Sequence, residues 1–201
     1  NLALIERAEA AGFEAIVLTV DAPVQGVRDA ERRAAFSLPP GIHAVHLPTA
    51  NSGAPHNAAA DGTYCAGVPA TAPTWDDVAW LQARTRLSVW LKGVLHPADA
   101  RQAQAPNVAG LIVSNHGGRT LDTAPATAQA LPVIAKAVGG ALPLIVDGGI
   151  RRGTDVLKAI ALGASAVMVG RPTVHALAVA GPMGVARMIR TLRDELEMAM
   201  A

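Results

Sequence analysis

Cysteine, aromatic residues and runs of like charge are scarce in this chain, and each scarcity excludes something. The single cysteine, Cys65, rules out an intrachain disulfide framework and a cysteine-based metal cluster. It lies in a Gly/Ala/Pro-rich stretch and reads as incidental rather than as a nucleophile. Aromatic residues make up 3 % of the chain and no basic run is present, so the aromatic-plus-basic face that binds nucleic acid is missing. No apolar run reaches the ~20 residues of a membrane span. The opening Asn1-Leu-Ala-Leu-Ile-Glu-Arg7 is polar and helix-like, with no leader peptide, and the expected location is the cytoplasm. His43, His46 and His56 share one loop, but their spacing does not make a metal site, and no metal is expected. What is present is apolar mass: of 201 residues, 51 % are hydrophobic and 16 % charged, with a formal net charge of +1, which predicts a packed core.

Read in order, the chain alternates short apolar runs with helical patterns. Residues 1–11 carry apolar positions at helical spacing and stop at Gly12. Phe13–Val20 reads as a buried strand ending at Asp21-Ala-Pro23, and a short charged helical piece runs to Arg33. From about 40 to 73 Pro, Gly, Ala, Asn and His dominate and no period survives, which predicts one long, mobile loop. Thr74-Trp-Asp-Asp77 has the form of a capping box for a helix to about Arg86. Strands follow at 87–91, 109–113, 142–146 and 164–169, with helices at about 97–105, 126–138 (Pro132 delaying its start), 154–163 and one or two over 173–200. Strands without alternation are covered on both faces, so the sheet is parallel and the class is α/β. A doubly wound sheet is the alternative, but no G-x-G-x-x-G follows the first strand. Polar residues follow every strand, which favours a (β/α) barrel with its site at the strand C-termini. One barrel domain is expected to span 1–201.

Those strand ends supply Thr19 and Asp21; Lys92; Ser114, His116 and Arg119; Asp147 to Arg151; and Gly170 with Arg171. Ser114-Asn-His-Gly-Gly-Arg119 stands out. Alone it reads as a turn holding a satisfied histidine. In this company it offers an imidazole able to move a proton near neutral pH and a guanidinium able to grip a carboxylate with two hydrogen bonds. Glycine-rich turns after the last two strands, each leading into a helix N-terminus, suit a phosphate.

Taken together, Leu18-Thr-Val-Asp-Ala-Pro23, Leu91-Lys-Gly93, Ser114-Asn-His-Gly-Gly-Arg119, Asp147-Gly-Gly-Ile-Arg-Arg-Gly-Thr-Asp155 and Val169-Gly-Arg-Pro172 closely resemble the FMN-dependent α-hydroxy acid oxidases and dehydrogenases. The resemblance runs from residue 1 to about 200 and is weakest in the long loop. It implies a (β/α)8 barrel of which this chain holds about the last five units, with about three further strands preceding it. It implies oxidation of an (S)-2-hydroxy acid to the 2-oxo acid with FMN as cofactor. By resemblance His116 is the base and Asp21 its carboxylate partner, while Arg28 and Arg119 grip the substrate carboxylate. Lys92 stands by the flavin ring, with Thr19 and Ser114 as hydrogen-bond partners. Asp147, Gly148, Gly149, Arg151, Gly170 and Arg171 hold the ribityl chain and phosphate. The implied partners are a small 2-hydroxy acid, O₂ or a quinone or cytochrome as electron acceptor, and further copies of the chain, a tetramer by resemblance. Another FMN-barrel activity of the isopentenyl-diphosphate isomerase type, or a non-catalytic remnant, are the competing readings.

Overall fold

The computed structural model describes residues 2–23, 29–42, 46 and 72–201. Nearly all of the expected mobile loop, with His43 and His56, lies outside the described residues. The described residues fall into two compact units, one drawn from within 1–14 and 22–87, the other from within 15–21 and 88–201.

The first unit holds helices α1 (Leu2–Ala10), α2 (Asp29–Arg33) and α3 (Trp75–Gln82). Helix α1 closes as the sequence predicts. Gly12 sits at φ +79°, and the Gly12 and Phe13 amides donate back to the Glu9 and Ala8 carbonyls at 3.1 Å each. At the start of α3 the Asp77 carboxylate accepts from the Thr74 amide at 2.7 Å and the Thr74 hydroxyl at 2.8 Å. Those two bonds, the backbone one first, hold the Asp77 carboxyl below its ordinary value. The Glu9 carboxylate is lowered likewise, by the Thr85 hydroxyl and then the Arg86 amide.

The second unit is a five-stranded parallel sheet of β1 (Ala15–Thr19), β2 (Ser88–Lys92), β3 (Gly110–Val113), β4 (Leu144–Val146) and β5 (Ala166–Val167), in that order. Helix α4 (Pro97–Gln102) follows β2, α5 (Thr127–Val138) follows β3, α6 (Gly153–Ala161) follows β4 and α7 (Arg171–Met200) follows β5. This is the α/β, strand–loop–helix order of a (β/α) barrel, with five of its strands. The core lies at the centre of the sheet. Every residue of β3 is buried, and Leu131 and Ile134 of α5 are buried as well. Each such side chain contributes about 1.5–3 kcal/mol by leaving water. Trp90 stands opposite Gly110 in register, and a Cβ on Gly110 would fall 2.2 Å from the indole, so glycine is what lets the ring lie on β3.

Two details depart from the sequence reading, and a third resolves its one or two helices over 173–200. Helix α5 begins at Thr127, upstream of Pro132, which sits inside it. Only β3 is covered throughout; β1 alternates between half-buried and exposed side chains, so one of its faces is left open. The last helical run is a single element broken at Ala180 and Gly181, where the backbone leaves helical angles just before Pro182.

The C-terminal stretch does work that its sequence did not announce. A Cβ on Gly153, at the start of α6, would lie 2.1 Å from the Leu196 amide nitrogen. The two backbones therefore touch, and Glu195 Oε2 accepts from the buried Gly153 amide at 2.9 Å. Glu195→Ala leaves that amide unpaired and is expected to cost about 1–3 kcal/mol in urea unfolding. Gly153→Ala is expected to cost at least as much by overpacking. Wild-type stability in both would show that α7 is not clamped to α6.

The pH response of Asp77 has a definite sign. Its folded pKa is depressed, so its contribution is complete above the unfolded carboxylate range and is lost as pH falls through the folded value. Carboxyl ¹³C titration is expected to place Asp77 below ordinary aspartates, and Thr74→Val to move it partway back. An ordinary wild-type titration would contradict the cap.

Candidate active site

The parallel register sets the site. Thr19 pairs with Lys92, Lys92 with Ile112, and Val113 with Val146, so the residues just beyond these positions emerge along one edge of the sheet. There His116 Nδ1 lies 3.0 Å from Asp21 Oδ1. A carboxylate only accepts, so Nδ1 carries the proton of this bond, which leaves Nε2 as the ring nitrogen able to exchange one. Next to this pair, Lys92 Nζ donates to Ser114 Oγ at 3.0 Å and stands 3.5 Å from Asp147 Oδ2. Ser114 is fully buried, and its Oγ also accepts from the His116 amide at 3.1 Å. One hydroxyl thus ties the lysine to the histidine loop.

That loop is left-handed. His116, Gly117 and Gly118 have φ values of 55°, 66° and 73°. Two glycines make the turn accessible, and histidine is among the few side chains that tolerate it. Asn115, which the sequence reading passed over, holds the turn: its Oδ1 accepts from the Gly117 amide at 3.0 Å and its Nδ2 donates to the Pro125 carbonyl. Asparagine before a glycine pair is the signal that could have identified it.

A cavity of about 260 Å³ opens beside these groups, lined among others by Lys92, His116, Arg119, Asp147, Gly149 and Arg171. Gly148 and Gly170 line it too. Gly148 and Gly149 sit at φ 85° and 82°, and the Gly148 carbonyl accepts from the buried Thr127 hydroxyl at 3.2 Å. Arg171, at the start of α7, donates to the Gly117 carbonyl at 3.2 Å, so the arginine expected at the phosphate also touches the histidine loop. A second cavity of about 360 Å³ lies behind the Gly148–Gly149 turn, with walls that include Leu131, Val146 and Leu162.

Two other expected site residues, Thr19 at the end of β1 and Arg151, are exposed. The Arg151 amide is occupied: Asp155 Oδ2 accepts from the Arg151 and Arg152 amides at 3.0 Å each. With Gly153 held by Glu195, the Arg151, Arg152 and Gly153 amides at the start of α6 are bonded to the chain's own carboxylates. Arg28 lies outside the described residues. His46 accepts from Arg7 at 2.6 Å. Among the described residues no group of three or more His, Cys, Asp or Glu is placed to hold a metal, and no helix is long and apolar enough to cross a membrane.

The whole chain, residues 1–201, matches the family model described as FMN-dependent dehydrogenase. The chain belongs to that family. It is 52 % identical over 202 positions to an L-lactate oxidase of Alicycliphilus denitrificans, covering 100 % of this chain and 55 % of the relative. It is 50 % identical to glycolate oxidase 1 of Zea mays, covering 98 % of this chain and 54 % of that protein. The solved structure of mandelate oxidase with (S)-2-phenylpropionate superposes with a TM-score of 0.85 at 44 % identity, covering 99 % of this chain and 53 % of that one. The chain thus spans about half the length of the relatives it matches.

Ser114 gives the family site a direct check. Ser114→Ala removes one acceptor from Lys92 and leaves the His116 amide unpaired, at an expected cost of about 1–3 kcal/mol in denaturant unfolding. A neutral outcome would mean that neither bond is made in solution.

Proposed function

We propose that this chain supplies the base, the flavin-side cation and the phosphate cradle of an FMN-dependent enzyme that oxidises a 2-hydroxy acid to the 2-oxo acid. The observation that carries this reading is the His116 Nδ1–Asp21 Oδ1 bond of 3.0 Å, set beside Lys92 at adjoining strand ends. L-lactate, glycolate and mandelate, named in the relatives, share a hydroxyl on the carbon next to a carboxylate.

The residues present fit FMN. Asp147 Oδ1 is buried with no hydrogen-bond partner, which suits a ligand hydroxyl arriving there. A Cβ on Gly149 or Gly170 would meet nothing within 4 Å, so the backbone is open on the ligand's side. Lys92 and Ser114, with Thr19, would hold the ring system. Asp147, Gly148, Gly149 and Gly170, with the Arg151 and Arg171 guanidinium groups, would hold the chain and phosphate. Bound FMN supplies the two-electron acceptor for the substrate.

The chain's own residues do the rest. Arg119, on the cavity wall, grips the carboxylate and fixes the hydroxyl-bearing carbon. His116 Nε2 takes the proton released from the substrate. Asp21 keeps the ring oriented and offsets the imidazolium charge as it forms. Lys92 would supply a positive charge beside a bound flavin ring, favouring negative charge there. The relatives' names as oxidases favour O₂ as electron acceptor.

Anaerobic mixing of the flavin-loaded protein with L-lactate, glycolate and (S)-mandelate tests this. At least one is expected to bleach the visible flavin absorbance. His116→Ala should retain the flavin and slow bleaching about 10²–10⁴-fold, and Asp21→Asn should slow it less. Failure of every hydroxy acid to bleach a bound flavin would overturn the proposed activity. Wild-type bleaching by His116→Ala would remove the histidine from it.

A further inference from the structure

Beside the pairing of Asp21 with His116 lies a glycine that is not among the residues lining the cavity. Gly93 follows Lys92 at the end of β2, with φ +108°. Its amide donates to the Ile112 carbonyl at 3.0 Å, which locks it to β3. A Cβ built on Gly93 would lie 2.4 Å from Asp21 Cβ, 2.5 Å from Cγ and 2.9 Å from Oδ1. Oδ1 is the oxygen bonded to His116 Nδ1.

We propose that Gly93 is a positioning residue: its missing side chain is the slot in which the Asp21 carboxylate lies when it orients His116. The closest approach is Cβ to Cβ, so no rotation of the Asp21 side chain relieves it. Nor can the backbone drift on the β2 side, because the Val20 amide donates to the Lys92 carbonyl at 2.8 Å. A methyl at 93 therefore displaces Asp21 itself. For turnover, the consequence rests on the reading of Asp21 and His116 as an orienting pair; the contact does not.

A double-mutant cycle decides it, with Gly93→Ala, Asp21→Gly and their combination made in the flavin-loaded protein. Gly93→Ala is expected to lower Tm by several degrees, and by clearly less once Asp21→Gly has emptied the slot. The hydrogen-bonded His116 ring N–H resonance in ¹⁵N-histidine-labelled protein should vanish in Gly93→Ala, as it should in Asp21→Ala. Turnover of Gly93→Ala should fall about 100-fold in kcat with KM little changed.

Equal Tm losses from Gly93→Ala in both backgrounds would overturn the proposal, since backbone strain at φ +108° alone would then explain them. A persisting ring N–H resonance in Gly93→Ala would overturn it too. If Gly93→Ala does not fold, recovery of folded protein in the double variant supports the slot, and failure of both variants counts against it. The Tm cycle and the resonance hold their meaning even if no hydroxy acid is turned over, so the slot and the proposed activity fail separately.

Discussion

The common register of five parallel strands is the constraint on which the site depends. Backbone bonding continues one residue past the strands: Val20 to Lys92 at 2.8 Å, Gly93 to Ile112 at 3.0 Å, Asp147 to Val113 at 3.1 Å and Met168 to Val146 at 2.9 Å. The first loop residues are therefore held nearly as firmly as the strands themselves. That matters because a slip of one residue reverses which face every side chain takes. Lys92 at the end of β2 meets Ser114 after β3 and Asp147 after β4 only because the three strands keep their pairing.

The electrostatics of that edge are poised rather than neutralised. Lys92 and Asp147 keep 16 % and 17 % of their side-chain surface, and an ion pair so enclosed loses much of its Coulombic gain to desolvation. The pair gap of 3.5 Å, with the lysine's shorter bond going to Ser114, fits a site that holds a cation without saturating it. The unpartnered buried atoms agree. Asp21 Oδ2 and Asp147 Oδ1 lack hydrogen-bond partners among the described residues, and both belong to strand-end carboxylates. A folded core rarely leaves such oxygens unmatched, whereas a ligand site often does.

Much of this was legible in the sequence because it depends on local pattern. Apolar runs mark the strands, Gly12 marks the end of α1, and Asp21, Lys92, His116 and Asp147 follow closely on those runs in the sequence. Long-range packing was not legible. Nothing in the sequence marks Glu195 as the partner of Gly153, since 42 residues separate them and the motif containing Gly153 reads as a phosphate turn. The same packing explains why the Gly153 amide, the first of α6, is capped. Glu195 looks like an ordinary helix-surface carboxylate until the fold brings it to that N-terminus, whereas Asp155 caps locally from the first turn of α6. Pro132 failed for the opposite reason: local propensity spoke against a helix there, and burial of Leu131 and Ile134 outweighed it.

The left-handed turn at His116 shows how the pieces combine. A non-glycine residue at φ 55° costs on the order of 1 kcal/mol or more and persists only where its surroundings over-determine it. Here they do. The His116 amide is fixed by Ser114, the Gly117 amide by Asn115, the Gly117 carbonyl by Arg171 and the imidazole by Asp21. The first two bonds are local and the last two come from opposite ends of the sheet, β1 and the start of α7. Chain entering the sheet and chain leaving it thus converge on one three-residue turn. A displacement at the Arg171 end is transmitted to the histidine through a single carbonyl, and one at the Asp21 end through a single carboxylate. The strained turn is tolerable because the two sides of the sheet hold it, and its position therefore reports whether both are in place.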